Sequence, residues 1–140
     1  LEKLIKKLGL RDKVVLVGQK DDIYDRIYGS SLYVMTSDHE GMPNALMEAM
    51  ALGLPVISTD CPCGGPGFLI KNQENGILVS TGNEEDLEKA MVQMLADRKF
   101  AEKLGSRARR IVEILNPERI YKKWDDYISY IAGGKGSGTK

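Results

Sequence analysis

Two glutamates and a Gly-X-Pro turn stand close together in the middle of this 140-residue chain. Glu40 comes directly before Gly41, and Pro43 lies two residues after that glycine. Glu48 follows eight positions after Glu40. A proline followed by apolar residues predicts a helix with Pro43 at its first position. The first N–H groups of a helix have no partner within it, so they attract phosphate oxygens. The sequence therefore predicts a site for a ligand that carries phosphate groups.

The two carboxylates suit the hydroxyl groups of such a ligand. Glu48 lies about 7.5 Å along the axis from Pro43, because a helix rises about 1.5 Å per residue. Helical side chains lean toward the N-terminus, which brings the Glu48 carboxylate back toward ribose hydroxyls. Glu40, just before the helix, would face a sugar. For the pair taken alone, a solvated surface role is the alternative, since glutamates often complement a helix dipole.

Short strands and helices alternate around this motif. Apolar, mostly β-branched runs predict strands at 13–17, 32–36, 55–59 and 77–79. Apolar residues at helical spacing predict helices at 1–8, 21–29, 43–52, 84–96, 98–114 and 117–131, with a loop at 60–67. This alternation is typical of the α/β class, as a Rossmann-like parallel sheet with helices on both faces. We expect one domain over residues 1–132 and a flexible tail over 133–140.

Composition and charge argue against several classes of protein. Lysines plus arginines number 20 and acidic residues number 20, so the formal net charge is zero and nucleic-acid binding is disfavoured. No apolar run approaches the roughly 20 residues of a membrane span. Cys61 and Cys63 are too close for an unstrained disulfide, and the lone His39 cannot complete a zinc site. We expect ordinary loop thiols, no metal and a cytoplasmic location.

The string EGMPNALMEAMALGLPVISTD resembles the signature of the retaining glycosyltransferases of the GT-B fold, the large group-1 family (family 4). Those enzymes have a Glu-Gly-X-Pro start, a second Glu eight positions on, and an EAMA-x-G-x-PV run. The resemblance continues through RDKVVLVG, SSLYVMTS, DCPCGGP and NGILVSTGN, and covers residues 1–131. It implies that the chain is part of the C-terminal, donor-binding domain of a glycosyltransferase. Such an enzyme would transfer a sugar to a polysaccharide, a lipid-linked acceptor or another acceptor, as in polysaccharide biosynthesis.

The resemblance also implies roles for individual residues. The donor would be a nucleotide-diphosphate sugar of the UDP or GDP type, transferred with retention of configuration and without a metal or other cofactor. Glu48 would hold the ribose, and Glu40 would be the catalytic residue beside the sugar. Gly18 and Gln19, at the end of the strand predicted at 13–17, would lie at the nucleobase. The full implied donor-binding set is Gly18, Gln19, Glu40, Gly41, Met42, Pro43, Asn44 and Glu48.

Two departures from the family pattern carry expectations of their own. Phe68 stands where the family usually has a glutamate. The family's strand order is 3-2-1-4-5-6, and the strands predicted here correspond to 3, 4, 5 and 6. Three alternatives follow. The strands at 13–17 and 32–36 pair directly, the chain borrows strands from another copy or chain, or the chain is a fragment of a larger enzyme. The isolated chain is expected to be inactive without an N-terminal acceptor domain, and a strand-swapped or self-associated oligomer is an expected state.

Two surfaces outside the motif leave alternatives open. Four basic residues recur at helical spacing and form a stripe on one helix. The stripe is either a solvated helix face or a surface that places the protein at the inner membrane face, next to a membrane-associated acceptor. Its members are Lys99, Lys103, Arg107 and Arg110. The last predicted helix has one apolar face, which predicts either core packing or an interface for a partner domain. That face consists of Ile120, Trp124, Tyr127, Ile128 and Ile131.

Two other functions remain as alternatives to a transferase domain. One is a non-catalytic binding or structural module that keeps the fold and needs a partner domain; binding of a nucleotide sugar that depends on Glu48 would distinguish the two. The other takes Glu40 and Glu48 as the acid and nucleophile of a glycosidase. The Gly-X-Pro helix start argues against a glycosidase, because hydrolysis needs no diphosphate cradle.

Overall fold

The computed structural model describes residues 1–133, and within them three parallel strands form one sheet in the order β1-β2-β3. The strands are β1 (Tyr33–Met35), β2 (Val56–Asp60) and β3 (Ile77–Ser80). The helices are α1 (Glu2–Lys7), α2 (Ile23–Ile27), α3 (Asn44–Ala51), α4 (Gly65–Leu69), α5 (Glu84–Ala96), α6 (Arg98–Ala108), α7 (Ile111–Ile114) and α8 (Pro117–Ala132). The tail expected at 133–140 lies outside the described residues, apart from Gly133.

Alternation along β2 builds a core on each face of the sheet. Val56 packs in a cluster with Leu46 of α3 and Ile111 of α7. The next residue, Ile57, points to the opposite face and packs in a cluster with Met94 of α5 and other side chains of α5 and α6. Successive strand residues point to opposite faces, so one strand supplies both clusters. The predicted α/β class, with a parallel sheet covered on both faces, is confirmed.

The predicted strand at 13–17 is absent. Val14, Val15, Leu16 and Val17 are 39%, 79%, 49% and 47% exposed. In the described part of the chain, no backbone hydrogen bond involves residues 15–21. A strand is stabilised by its neighbours, and no described strand lies beside this run, so its β-branched pattern has nothing to pair with. Residues 13–17 therefore do not pair directly with β1.

Three smaller differences concern element boundaries. Pro43 occupies the N-cap of α3 rather than the first helical position, because its ψ of 101° is extended. The loop expected at 60–67 contains the start of α4. The single helix expected at 98–114 is divided into α6 and α7 by a turn at residues 109–110. The helix predicted at 84–96 has the predicted bounds as α5.

The last helix, α8, has no buried residue. Trp124 and Ile128 are each 59% exposed, and Tyr127 is 58% exposed. The rings of Trp124 and Tyr127 meet edge to face with centroids 6.3 Å apart. Of the two alternatives for this helix, core packing is wrong, since its apolar face is uncovered within residues 1–133.

Candidate functional site

The loop from β1 to α3 places the predicted motif at the carboxyl end of the sheet. Glu40 is half-buried, whereas Gly41 is exposed and Met42 is 51% exposed. Pro43 is buried at the base of the turn, and Asn44 is exposed as the first residue of α3. Ligands of α/β proteins bind outside the carboxyl ends of parallel strands, so the loop lies where such a site is expected.

The N-terminus of α3 lacks a side-chain cap. Its first internal bond runs from the Met47 N–H to the Pro43 carbonyl, at 3.1 Å. The N–H groups of Asn44, Ala45 and Leu46 therefore have no partner within the helix. By contrast, helices α5, α6 and α8 have their N-termini capped by Asn83, Asp97 and Asn116 respectively. The start of α3 offers free donors together with the positive end of a helix dipole.

The start of α4 supports the turn from one side. A Cβ added to Gly65 would collide with the Gly41 carbonyl oxygen and lie 3.0 Å from the Pro43 Cδ. Glycine at position 65 lets the two backbones approach this closely. A Cβ at Gly41 itself would meet nothing within 4 Å. The turn is thus held on one side and open on the other, where a ligand can approach its backbone.

A side chain of β2 fixes the beginning of the same loop. The Thr59 hydroxyl donates to the Ser37 carbonyl at 2.6 Å, and Thr59 is 5% exposed. Ser37 follows β1 and precedes Glu40, so the bond ties the loop to the end of the central strand. This contact limits the movement of the segment that carries Glu40.

Two tyrosines lie beside the predicted carboxylates. The pKa of the Tyr24 phenol is raised above its ordinary value, chiefly by hydrogen bonding with Glu48 and then by the charge of that carboxylate. The pKa of Tyr33 is raised first by burial and then by the charges of Glu48 and Glu40. Negative charge disfavours a phenolate only over a short range. The charges of Glu48 and Glu40 thus both act on Tyr33, and Glu48 also acts on Tyr24.

Neither tyrosine was among the residues singled out from the sequence. Tyr33 shares a face of β1 with Met35, which packs in the same cluster as α3. The period of two in the strand could therefore have placed Tyr33 beside α3. For Tyr24 the sequence holds no equivalent signal, because its position beside Glu48 depends on how α2 folds back.

Gly18 and Gln19 lie in an exposed irregular segment. Because the strand expected before them is absent, the prediction that they mark a strand end is wrong. Among residues 1–133, no hydrogen bond links either of them to Glu40 or Glu48. Their role at a nucleobase stays a prediction.

One cavity of the described chain lies away from the predicted site. It has a volume of about 590 Å³ and is lined by residues that include Ser31, Pro55 and Arg109, before the amino ends of β1 and β2. A second groove of about 290 Å³ lies at the carboxyl ends of the strands, against Thr36 and Thr59. Neither of these two cavities is lined by Glu40 or Glu48.

Residues 1–133 contain no group of three or more His, Cys, Asp or Glu side chains placed to hold a metal ion. Cys61 is buried and Cys63 is exposed, and both thiols are free. None of the described helices combines the length and the apolar character needed to cross a membrane.

The family described as "Glycosyl transferases group 1" matches residues 1–111 of this chain. The match includes the glutamate motif, the sheet and most of both core clusters. This chain belongs to the group 1 glycosyltransferases. The resemblance seen in the motif is thus confirmed at the level of the family.

One curated protein and two solved structures are similar to this chain. The lipopolysaccharide core biosynthesis glycosyltransferase LpsE of Rhizobium meliloti is 34% identical over 107 residues, which are 76% of this chain and 31% of LpsE. Sucrose-phosphate synthase from Thermosynechococcus elongatus is 34% identical, with a TM-score of 0.81 over 95% of this chain and 34% of the synthase. A TarM variant of S. aureus, solved with fondaparinux, α-GlcNAc-glycerol and UDP, is 29% identical, with a TM-score of 0.83 over 89% of this chain and 25% of TarM.

These alignments define what part of a glycosyltransferase the chain represents. The agreement in fold confirms the prediction of a partial, Rossmann-like domain of a GT-B glycosyltransferase. The chain spans about a third of the length of the relatives compared above, or less. A group 1 glycosyltransferase domain is therefore present, whereas a complete transferase of that length is not contained in these residues.

Proposed function

We propose that the chain is the donor-binding part of a retaining, family 4 glycosyltransferase and that it recognises a nucleotide-diphosphate sugar. The observation that carries this proposal is the uncapped N-terminus of α3, with Glu40 in the loop before it and Glu48 within the helix. Free N–H groups and a helix dipole favour a diphosphate, while carboxylates favour the hydroxyls of ribose and sugar. The presence of UDP in the TarM structure supports a donor of the UDP type, with GDP as the other candidate.

Each residue of the site has a proposed part in binding the donor. The backbone from Gly41 to Asn44 holds the diphosphate, since this turn is open to solvent and leads into the free N–H groups of α3. Glu48 accepts hydrogen bonds from the ribose, and Glu40 accepts from the donor sugar. Met42 and Pro43 shape the turn, and Gly18 and Gln19 complete the site at the nucleobase.

The chemistry proposed for this domain is electrostatic. As the bond between sugar and diphosphate breaks, negative charge develops on the leaving phosphate, and the N-terminus of α3 stabilises that charge. Glu40 is the proposed catalytic residue because it lies beside the departing sugar and holds it in position. In this proposal the helix dipole neutralises the diphosphate, and no metal or other cofactor is needed.

The acceptor is proposed to be a growing polysaccharide or a lipid-linked saccharide. LpsE, as named, acts in lipopolysaccharide core biosynthesis, which supports an acceptor of this class. The acceptor would be held by an N-terminal partner domain, without which the isolated chain is inactive. The stripe of basic residues on α6 and the turn after it is exposed, which supports a peripheral position at the cytoplasmic membrane face. Its members are Lys99, Lys103, Arg107 and Arg110.

Calorimetric or NMR titration of the chain with UDP, GDP and their common sugars tests the proposal. We expect one nucleotide class to bind, and Glu48→Ala to weaken that binding by about tenfold or more, since a charge-assisted hydrogen bond contributes about 1.5–3 kcal/mol. Glu88→Ala, which removes an exposed glutamate from the unrelated helix α5, should bind as the parent chain does. Circular dichroism of both variants establishes that they are folded.

The same titration separates the proposal from its alternatives. Binding that is unaffected by Glu48→Ala would contradict the assignment of the ribose contact. The absence of binding to any nucleotide would favour a structural module that depends on its partner domain. Turnover of a chromogenic glycoside would instead favour a glycosidase.

A further inference from the structure

A groove lies at the carboxyl ends of all three strands, between the sheet and the start of α5, and has a volume of about 290 Å³. Thr36 directly follows β1, Thr59 belongs to β2, and Ser80 is the last residue of β3. The opposite wall is the first turn of α5, which begins at Glu84. The groove is therefore built from strands that are neighbours in one sheet and from the helix that follows the last of them.

Two carboxylates and two exposed hydroxyl groups line this groove. Asp38 and Glu84 are exposed, and no ion pair within residues 1–133 includes either of them. The hydroxyls of Thr36 and Ser80 can each donate and accept hydrogen bonds. An ionised carboxylate only accepts, so it is matched by a ligand that donates. The polar lining therefore suits a ligand that carries several hydroxyl groups.

Apolar side chains form the deeper part of the groove. Val79 is 7% exposed and belongs to the core cluster between the sheet and helices α5 and α6. Leu87 is half-buried and packs against the same cluster. A sugar ring has C–H groups on its faces and hydroxyl groups around its edge. An apolar base combined with a few polar groups therefore matches both parts of a sugar.

Charge and size argue against a nucleotide in this groove. The lining contains two carboxylates and no lysine or arginine, so a phosphate group would be repelled. Pockets for drug-sized ligands have volumes of about 300–1,000 Å³, and this groove is smaller than that range. A single neutral sugar unit therefore fits the groove better than a nucleotide or a phosphorylated saccharide.

We propose that this groove binds one neutral sugar unit of the acceptor saccharide. Asp38 lies two residues before Glu40, so the groove and the proposed donor site share one loop. Thr59 lines the groove, and its hydroxyl holds the Ser37 carbonyl of that loop at 2.6 Å. That the sugar is part of an acceptor rests on the proposed function, whereas the affinity of the groove for a sugar does not.

NMR titration of the 140-residue chain with four neutral sugars tests the proposal. The probes are the methyl α-glycosides of glucose, galactose, mannose and N-acetylglucosamine. At least one of them should cause saturable shifts of the Thr36, Ser80 and Leu87 amides. These shifts should persist when UDP or GDP saturates the chain, because donor and acceptor occupy different sites.

Variants of the two carboxylates test the contacts of the bound sugar. Asp38→Ala and Glu84→Ala should each raise the dissociation constant of that glycoside by about fivefold or more, since each removes a charge-assisted hydrogen bond. Glu88→Ala is the matched control, because Glu88 is an exposed glutamate of the same helix that does not line the groove. It should leave the dissociation constant unchanged, and circular dichroism of all three variants establishes that they are folded.

The other outcomes separate this proposal from the proposed function. The absence of saturable shifts with all four glycosides would overturn the groove as a sugar site, whereas nucleotide binding in the same sample would still support the donor site. Shifts around Glu40 and Asn44 alone, which UDP removes, would place the glycoside in the donor site and overturn the groove. Mg²⁺ or Ca²⁺ that shifts the groove amides without any sugar would show that the carboxylates hold a cation instead. A glycoside bound in the groove of a chain that binds no nucleotide would support the groove and contradict the proposed function.

Discussion

Residues 13–17 and residues 55–59, most of which form β2, are both short apolar runs but lie in different environments. KVVLV and PVIST are both short, β-branched runs. In β2, Val56 and Ile57 are fully buried, whereas Val15 is 79% exposed and Leu16 is 49% exposed. The difference lies in their neighbours, because β2 has a strand on each side and a core cluster on each face. An apolar run becomes a strand only where the rest of the fold supplies a neighbouring strand.

The largest effect expected from this comparison concerns matched leucines. Leu46→Ala should lower the free energy of unfolding by about 2–5 kcal/mol, because Leu46 is fully buried in the cluster under α3 and its loss leaves a cavity. Leu16→Ala, at a site 49% exposed, should change it by less than about 0.5 kcal/mol. Urea denaturation of dilute samples measures both. Equal losses would contradict the view that residues 13–17 lie outside the cooperative core.

A pair of glycines extends the comparison to the backbone. Gly65→Ala should destabilise the chain by about 1–3 kcal/mol, because its methyl group would collide with the Gly41 carbonyl and displace the turn. Gly9→Ala meets no neighbouring atom, although its φ of +66° is strained for alanine. That strain falls on the end of α1, which has no buried residue, so the main unfolding transition should shift by less than about 0.5 kcal/mol.

Thermal denaturation of the two glycine variants gives this difference directly. NMR shifts should change around Glu40 and Asn44 in Gly65→Ala and only near α1 in Gly9→Ala. If Gly65→Ala leaves both stability and these shifts unchanged, the close approach of α4 to the turn is not formed in solution.

The hydrogen bond between Thr59 and Ser37 should have a smaller effect. Thr59→Val keeps the shape of the side chain but leaves the Ser37 carbonyl without its donor, at an expected cost of about 1 kcal/mol. Thr81→Val is the control, since the Thr81 hydroxyl makes only an exposed contact of 3.5 Å with the Asp60 carbonyl. Chemical denaturation should give a lower free energy of unfolding for Thr59→Val than for Thr81→Val. Faster amide exchange around Ser37 is expected only in Thr59→Val.

The smallest effect expected is a change in tyrosine titration. Glu48→Gln should bring the pKa of Tyr24 down toward 10.0, because Glu48 is the main cause of its elevation. Tyr33 should respond less, because burial is the first cause of its raised pKa. Both phenols hold their protons more tightly in the folded chain. The associated stability is therefore present below pH about 10 and is lost as the pH rises through the folded-state values.

NMR signals of the individual tyrosine rings, followed over alkaline pH, measure these values. An unchanged Tyr24 in the variant would contradict its position beside Glu48.

The sequence predicts best where the local pattern and the surrounding fold agree. Strands β1, β2 and β3 and helix α5 form where they are expected, since each has partners within the described chain. The strand predicted at 13–17 does not form, because a β-branched composition indicates a preference for pairing and not the presence of a partner strand. The roles of the two glutamates stay predictions, and the turn before α3 could be predicted from residue type and spacing. Tyr24 could not, because its place beside Glu48 depends on the path of α2.

The final helix has a consequence for how this domain is joined to other sequences. Both core clusters, with the side chains that pack against them, are complete at Leu115. Helix α8 adds 16 residues and buries none of them. A chain shortened after Leu115 should therefore fold with the same cooperativity as the longer one. A gene fusion that exchanges, lengthens or replaces α8 should therefore leave intact the folding unit that carries the turn between β1 and α3.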